Sequence, residues 1–123
     1  MVTFALDFVA PAIQQYTLAI QERFDIQSLY VFGSTITGTA TKWSDIDLLI
    51  LSPDFEDRLE ARLDLMRLRR GIDDRIEPHP LLLEDFNEHH ALAAEAMHNG
   101  VQISLHMPED REETVNNQLK TAN

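Results

Sequence analysis

The chain contains no cysteine, which excludes disulfides, thiol nucleophiles and cysteine-ligated metals. Basic residues are also scarce, 10 Lys and Arg against 21 Asp and Glu, for a formal charge of −11. Proteins that grip nucleic-acid phosphates along their surface carry the opposite balance, so a long polynucleotide substrate and a nucleic-acid partner are not expected. No stretch approaches the roughly 18 consecutive apolar residues of a membrane helix. The opening MVTFALDFVAP lacks a basic flank and places Asp7 inside its apolar run, so a signal peptide is not expected either. A cytoplasmic protein without membrane contact is the expectation that follows. There is also no internal repeat and no low-complexity tract.

In 123 residues there is room for one domain with one core. Phe8, Ala12, Ile13, Tyr16, Ala19 and Ile20 recur at helical spacing and predict a helix over 3–24, with Pro11 acceptable only near its first turn. Residues 26–32 and 45–52 (DIDLLILS) read as buried strands. Residues 55–70 read as a helix with Phe55, Leu59, Leu63, Met66 and Arg70 on one stripe, and Glu60, Arg62, Asp64 and Arg67 away from it. Gly71 is a plausible C-cap. Residues 75–81 predict an edge or irregular strand, because Pro78 and Pro80 cannot donate ladder hydrogen bonds. A helix over 83–99 stopped by Gly100, and a strand over 101–105, complete the domain, 1–107. Residues 108–123 read as a polar C-terminal tail. Strands separated by helices indicate an α/β or α+β domain with a small mixed sheet of about four strands flanked by helices.

The informative stretch is FGSTITGTATKWSDIDLLIL. A buried strand ends in Gly33-Ser34, a second glycine follows at position 38, and Ser44-Asp45-Ile46-Asp47 opens the next strand. Residues two apart in a strand share a face, so Asp45 and Asp47 project together. Two neighbouring carboxylates repel each other unless a cation lies between them. Their hard oxygens suit magnesium, whose shell is completed by water and substrate phosphates. Gly33 allows backbone to approach a phosphate, and the Ser34 hydroxyl can hold its oxygens. The plain structural alternative is a pair of solvent-edge aspartates, but aspartate is depleted in strands.

This pattern resembles the nucleotidyltransferase superfamily that shares its palm-like core with DNA polymerase β, and most of all the minimal nucleotidyltransferases found as antitoxin partners of HEPN-type toxins. The signature covers residues 33–47, and the element order matches over about 26–105. The resemblance implies that Gly33 and Ser34 bind the triphosphate of an NTP, with ATP the first candidate, and that Asp45 and Asp47 bind magnesium, two ions in all. It also implies a third carboxylate on a later strand as catalytic and metal-binding residue. Glu77 is the choice here: a period of two places Arg75, Glu77 and His79 on one face. Asp73 or Asp74 could serve if that strand starts earlier, and an exposed edge glutamate is the structural alternative.

His79 could contact phosphate or metal. His89 and His90, without a second matching pair, read as surface residues rather than a zinc site. Arg62, Arg67, Arg69 and Arg70 read as a solvated helical face, a subset of which could meet an acidic partner or the triphosphate. Lys42 and Trp43 could touch nucleotide, with loop packing the alternative for Trp43.

Antibiotic-modifying members of the superfamily, which the motif also resembles, carry a further acceptor-binding domain. Here little folded mass remains beyond the four strands and their helices. The acceptor site is therefore expected to be completed by another protein, such as a HEPN-type toxin adenylylated on a side-chain hydroxyl, or by a second copy of the chain. A non-catalytic antitoxin or binding module that retains nucleotide and metal binding is the alternative of a different class. An aminoglycoside-type small-molecule enzyme is a third. The acidity of the chain suits a basic, RNA-cleaving partner under either of the first two.

Overall fold

The computed structural model describes residues 2–41 and 43–105, with no side chains described before Val9. The elements run α1 (Val2–Arg23), β1 (Ser28–Phe32), the single-turn α2 (Ser34–Thr37), β2 (Ile46–Leu51), α3 (Arg58–Leu68), β3 (Ile76–Leu81), a 3-10 turn (Leu83–Asp85), α4 (Ala91–Asn99) and β4 (Val101–Gln102). They form one mixed four-stranded sheet of order β3-β2-β1-β4. β1 is antiparallel to both β2 and β4, and β2 is parallel to β3. The mixed α/β architecture expected from the sequence is the one found. The tail over 108–123 lies outside the described residues.

The alternation of β2 divides the core. Leu48 and Ile50 face α1 and α3, packing in one cluster with Ile13, Tyr16, Ile20, Phe55 and Leu65. Leu49 and Leu51 face the other way, in a smaller cluster with Phe32, Leu81, Ala93 and Ala96 of α4. β2 is thus buried on both faces, which explains its unbroken apolar run. Asp47 is odd-numbered, so it lies on the α4 side of the sheet, beside its register partner Phe32.

Tyr16 ties two helices together beneath the sheet. It is fully buried, and its hydroxyl donates to the Leu65 carbonyl at 2.8 Å. Burial pushes this hydroxyl well above the ordinary tyrosine range, and the nearby positive charge of Arg69 opposes the shift only in part.

Two expectations are corrected, and a third element gains a direction. Pro11 lies well inside α1 rather than in its first turn; the helix runs through it at the loss of one backbone donor. The stretch 83–99 is not one helix. Asn87 accepts a hydrogen bond from the His89 amide at 2.9 Å, and His90 caps α4 through Nδ1 and the Ala93 amide at 3.4 Å, so side-chain turn chemistry breaks the segment. The stripe Leu59–Leu63–Met66 is real, but it does not face the core. Ala61 and Leu65 are buried, whereas Leu59 is 71% and Leu63 47% exposed. Asp57 caps α3, accepting from the Glu60 amide at 3.0 Å, and the packing of Ala61 and Leu65 with Tyr16 and Phe55 turns the stripe outward.

β3 is an edge strand, as its prolines required. Its odd residues face β2: the Ile46 amide donates to Arg75 O at 2.8 Å and the Ser52 amide to Leu81 O at 3.3 Å. In a parallel ladder the even residues then point outward. The outward positions are Ile76, whose carbonyl accepts from Arg69 Nη1 at 2.7 Å, and Pro78 and Pro80, which have no N–H to present.

Candidate active site

The site is built at the end of the β1–β2 pair. β1 stops at Phe32, and Gly33 follows with φ 79° and ψ −153°, a region of backbone space that is essentially restricted to glycine. The Gly33 carbonyl accepts from the amides of Ile36 and Thr37 at 3.0 and 3.1 Å, closing the one turn of α2. Gly38, at φ 87°, ends it in the left-handed conformation. Thr41 and Ser44 then brace the return: the Thr41 amide donates to Ser44 Oγ at 2.9 Å, and the Ser44 amide to Thr41 O at 3.1 Å. This turn delivers Asp45 to the start of β2.

Asp47 stands at the centre. Across the sheet its register partners are Phe32 on β1 and Glu77 on β3. A Cβ at Gly33 would lie 2.5 Å from Asp47 Oδ2, so the carboxylate occupies the space that the missing side chain leaves. The other oxygen, Oδ1, lies 3.2 Å from His79 Nε2. The His79 ring in turn packs on Phe32, with centroids 5.5 Å apart. Asp47 is half-buried and Asp45 exposed.

The structure therefore brings Gly33, Asp47, Glu77 and His79 to one neighbourhood, with Ser34 and Asp45 adjoining it in sequence. Glu77 shares the Asp47 face by register, but its carboxylate forms an ion pair with Arg62 of α3. Among the described residues no group of three or more His, Asp or Glu side chains gathers closely enough to hold a metal ion. Asp73 is engaged elsewhere. It accepts from the Arg75 Nε at 3.0 Å and Nη2 at 2.7 Å, and these bonds hold its carboxyl below the ordinary range. Trp43 is 80% exposed, which rules out a buried packing role for its ring. Lys42 lies outside the described residues. His89 is exposed, as a surface residue, whereas His90 is half-buried and caps α4.

His79 is the residue that sequence reasoning touched without assigning. Its signal was the period of two along β3, which placed it on the face of Glu77.

A half-buried carboxylate fixed against a glycine, a second carboxylate two residues before it and a Gly-Ser turn at the end of the adjacent strand make up the candidate site. Residues 13–113 match the nucleotidyltransferase domain family, and the chain belongs to that family. A structure from Sulfolobus solfataricus described as a nucleotidyltransferase superposes with TM-score 0.58 at 17% identity, over 82% of this chain and 84% of the other. A chain of a toxin–antitoxin crystal structure with AMP-PNP superposes with TM-score 0.57 at 22% identity, over 87% and 88%. A Shewanella oneidensis complex of tri-AMPylated HEPN toxin with MNT antitoxin also matches, with TM-score 0.43 at 19% identity over 98% and 86%. No curated protein sequence matches. Family and fold agree with the resemblance drawn from residues 33–47, and transfer of a nucleotidyl group is the activity of the class. Among the described residues no helix is long and apolar enough to cross a membrane.

Proposed function

We propose that the chain transfers a nucleoside monophosphate, AMP from ATP as first candidate, onto a hydroxyl of a partner protein such as a HEPN-type toxin. The observation that carries this reading is the seating of Asp47 against Gly33. It puts a carboxylate and a side-chain-free stretch of backbone side by side, as a metal-bound triphosphate requires. The toxin–antitoxin neighbour with AMP-PNP supports an adenine nucleotide and a protein partner.

The residues fit magnesium. The ion is held by one or two protein carboxylates together with water and phosphate oxygens, and Asp45 and Asp47 supply that pair even without a third protein ligand. When bound, magnesium would polarise the α-phosphate and steady the leaving pyrophosphate. Gly33 and Ser34 would hold the triphosphate on the β1 side of Asp47. His79 holds Asp47 Oδ1 and so fixes how the carboxylate is presented. Glu77 is the proposed third carboxylate, on the β3 side, where the acceptor hydroxyl would arrive. Positioning of that hydroxyl supplies much of the rate in such transfers, and on this reading the partner protein supplies it.

One observation favours a second reading. The Glu77 carboxylate pairs with Arg62 and not with the aspartates, as suits a binding module that keeps nucleotide but transfers nothing. Mass spectrometry of the chain incubated with ATP, magnesium and the product of a neighbouring gene separates the two. A nucleotide adduct on that protein, lost in Asp45→Asn, is the expected result. Tight association without adduct under any metal would favour the binding module, and rapid modification of an aminoglycoside by the chain alone would overturn the protein-acceptor reading.

A further inference from the structure

The outward stripe of α3 lies outside both core clusters. Leu59 and Leu63, 71% and 47% exposed, stand with half-buried Met66 at spacing i, i+4, i+7 and form a single ridge along the helix. Ala61 and Leu65, on the opposite side, already satisfy the core. Exposed large apolar side chains at contact spacing mark association surfaces when they are contiguous.

The charge around the ridge is unlike that of the rest of the chain. Five of its ten Lys and Arg residues, Arg58, Arg62, Arg67, Arg69 and Arg70, fall within 58–70, against Glu60 and Asp64. Three are engaged: Arg62 with Glu77, Arg67 with Asp64, and Arg69 with the carbonyls of Asp74 and Ile76. Arg58 makes no side-chain hydrogen bond or ion pair among the described residues. The ridge also runs into the candidate site. Leu59, Arg58 and Arg62 line, together with His79, a crevice of about 280 Å³.

We propose that this face of α3 docks an acidic amphipathic helix of a partner protein. A one-residue-wide ridge fits the groove between side-chain rows of another helix. The arginine rim complements acidic residues flanking that groove. On a chain of net charge −11, an acidic segment is repelled elsewhere and steered here, which fixes the orientation of docking. The helix so held would end beside His79 and Glu77. This use rests on the protein-acceptor reading, but the docking itself does not require transfer.

The probe is a fluorescein-labelled peptide of about twenty residues, long enough to hold a helix, with leucine on one face and glutamate on the other. A lysine counterpart serves as control. By fluorescence anisotropy, the acidic peptide should bind the full chain, weaken as salt rises, and bind the Leu59→Gln, Leu63→Gln variant roughly tenfold less well or worse. Arg58→Glu should lose the acidic peptide and gain the lysine one. Magnesium-dependent ATP binding should stay within about twofold in Leu63→Gln alone, a position outside the crevice that His79 lines. Equal binding of both peptides, no binding of either, or unchanged affinity in the leucine variant would overturn the proposal. So would a wild-type dimer that the leucine variant dissociates, because the occupant would then be a second copy. Peptide binding that persists while Asp45→Asn and wild type both fail to transfer would leave the docking face standing and the transferase reading fallen.

Discussion

Asp47 and Gly33 share one space: the carboxylate Oδ2 lies where the first side-chain atom of any other residue at position 33 would come within 2.5 Å. Gly33→Ala must therefore both enter a glycine-only backbone region and push Asp47 aside. The expected result is a loss of about 1–3 kcal/mol of stability together with loss of magnesium-dependent ATP binding by calorimetry. Gly38→Ala is the control. Nothing lies within 4 Å of its added Cβ, so it should pay only a left-handed backbone cost of about 1–2 kcal/mol and keep nucleotide binding. Nucleotide binding intact in Gly33→Ala would refute the seating argument.

Glu77 and Arg62 separate catalytic from structural roles. Their pair is partly exposed, so Glu77→Gln and Arg62→Met should each cost no more than about 1 kcal/mol in urea unfolding. Transfer should fall roughly a hundredfold in Glu77→Gln, on the scale of losing one acid–base group, and survive in Arg62→Met. Full activity of Glu77→Gln would remove Glu77 from the site.

The Tyr16 hydroxyl sets an alkaline limit. Its folded-state pKa lies above the unfolded value of about 10. The folded chain then keeps a proton that the unfolded chain releases. The contribution is complete below about pH 10 and is lost as pH rises further. Tyr16→Phe should lose about 1 kcal/mol at neutral pH with the hydrogen bond to Leu65, and should show a shallower decline in urea stability between about pH 10 and 11. Parallel declines in both proteins would assign the alkaline limit to other groups.

The two faces of α3 predict opposite outcomes for the same substitution. Leu65→Ala, at a fully buried position, should cost about 2–5 kcal/mol. Leu59→Ala should change stability by no more than about 0.5 kcal/mol. Thermal unfolding of the two variants is sufficient, and equal losses would place Leu59 in the core after all.

The contrast between these leucines also marks where the sequence stopped being informative. Periodicity found the Leu59–Leu63–Met66 stripe correctly, but a period has no sign. Ala61, Leu65 and Leu68 form a second apolar row, and only the packing of Tyr16 and Phe55 decides between them. The Gly33–Asp47 segment was legible because its logic is local: a strand end, a glycine turn and a two-residue alternation. The partnership of Glu77 with Arg62 spans two elements and leaves no trace in either. The break at Asn87–His90 was hidden for another reason. Its apolar and alanine content matched a helix, while the hydrogen bonds that interrupt it come from polar side chains that a helix tolerates.

The outer rim of β3 bears on solubility. A strand from another molecule could add there only by finding donors in register, and Pro78 and Pro80 offer none, while Arg69 already occupies the Ile76 carbonyl. The opposite rim is the two-residue β4, too short to template a fibril. A chain with a strongly apolar central strand is thus protected from stacking into cross-β assemblies at both margins of its sheet. Replacing the two prolines, both buried, with valine would restore donors to this rim and open the way to seeding.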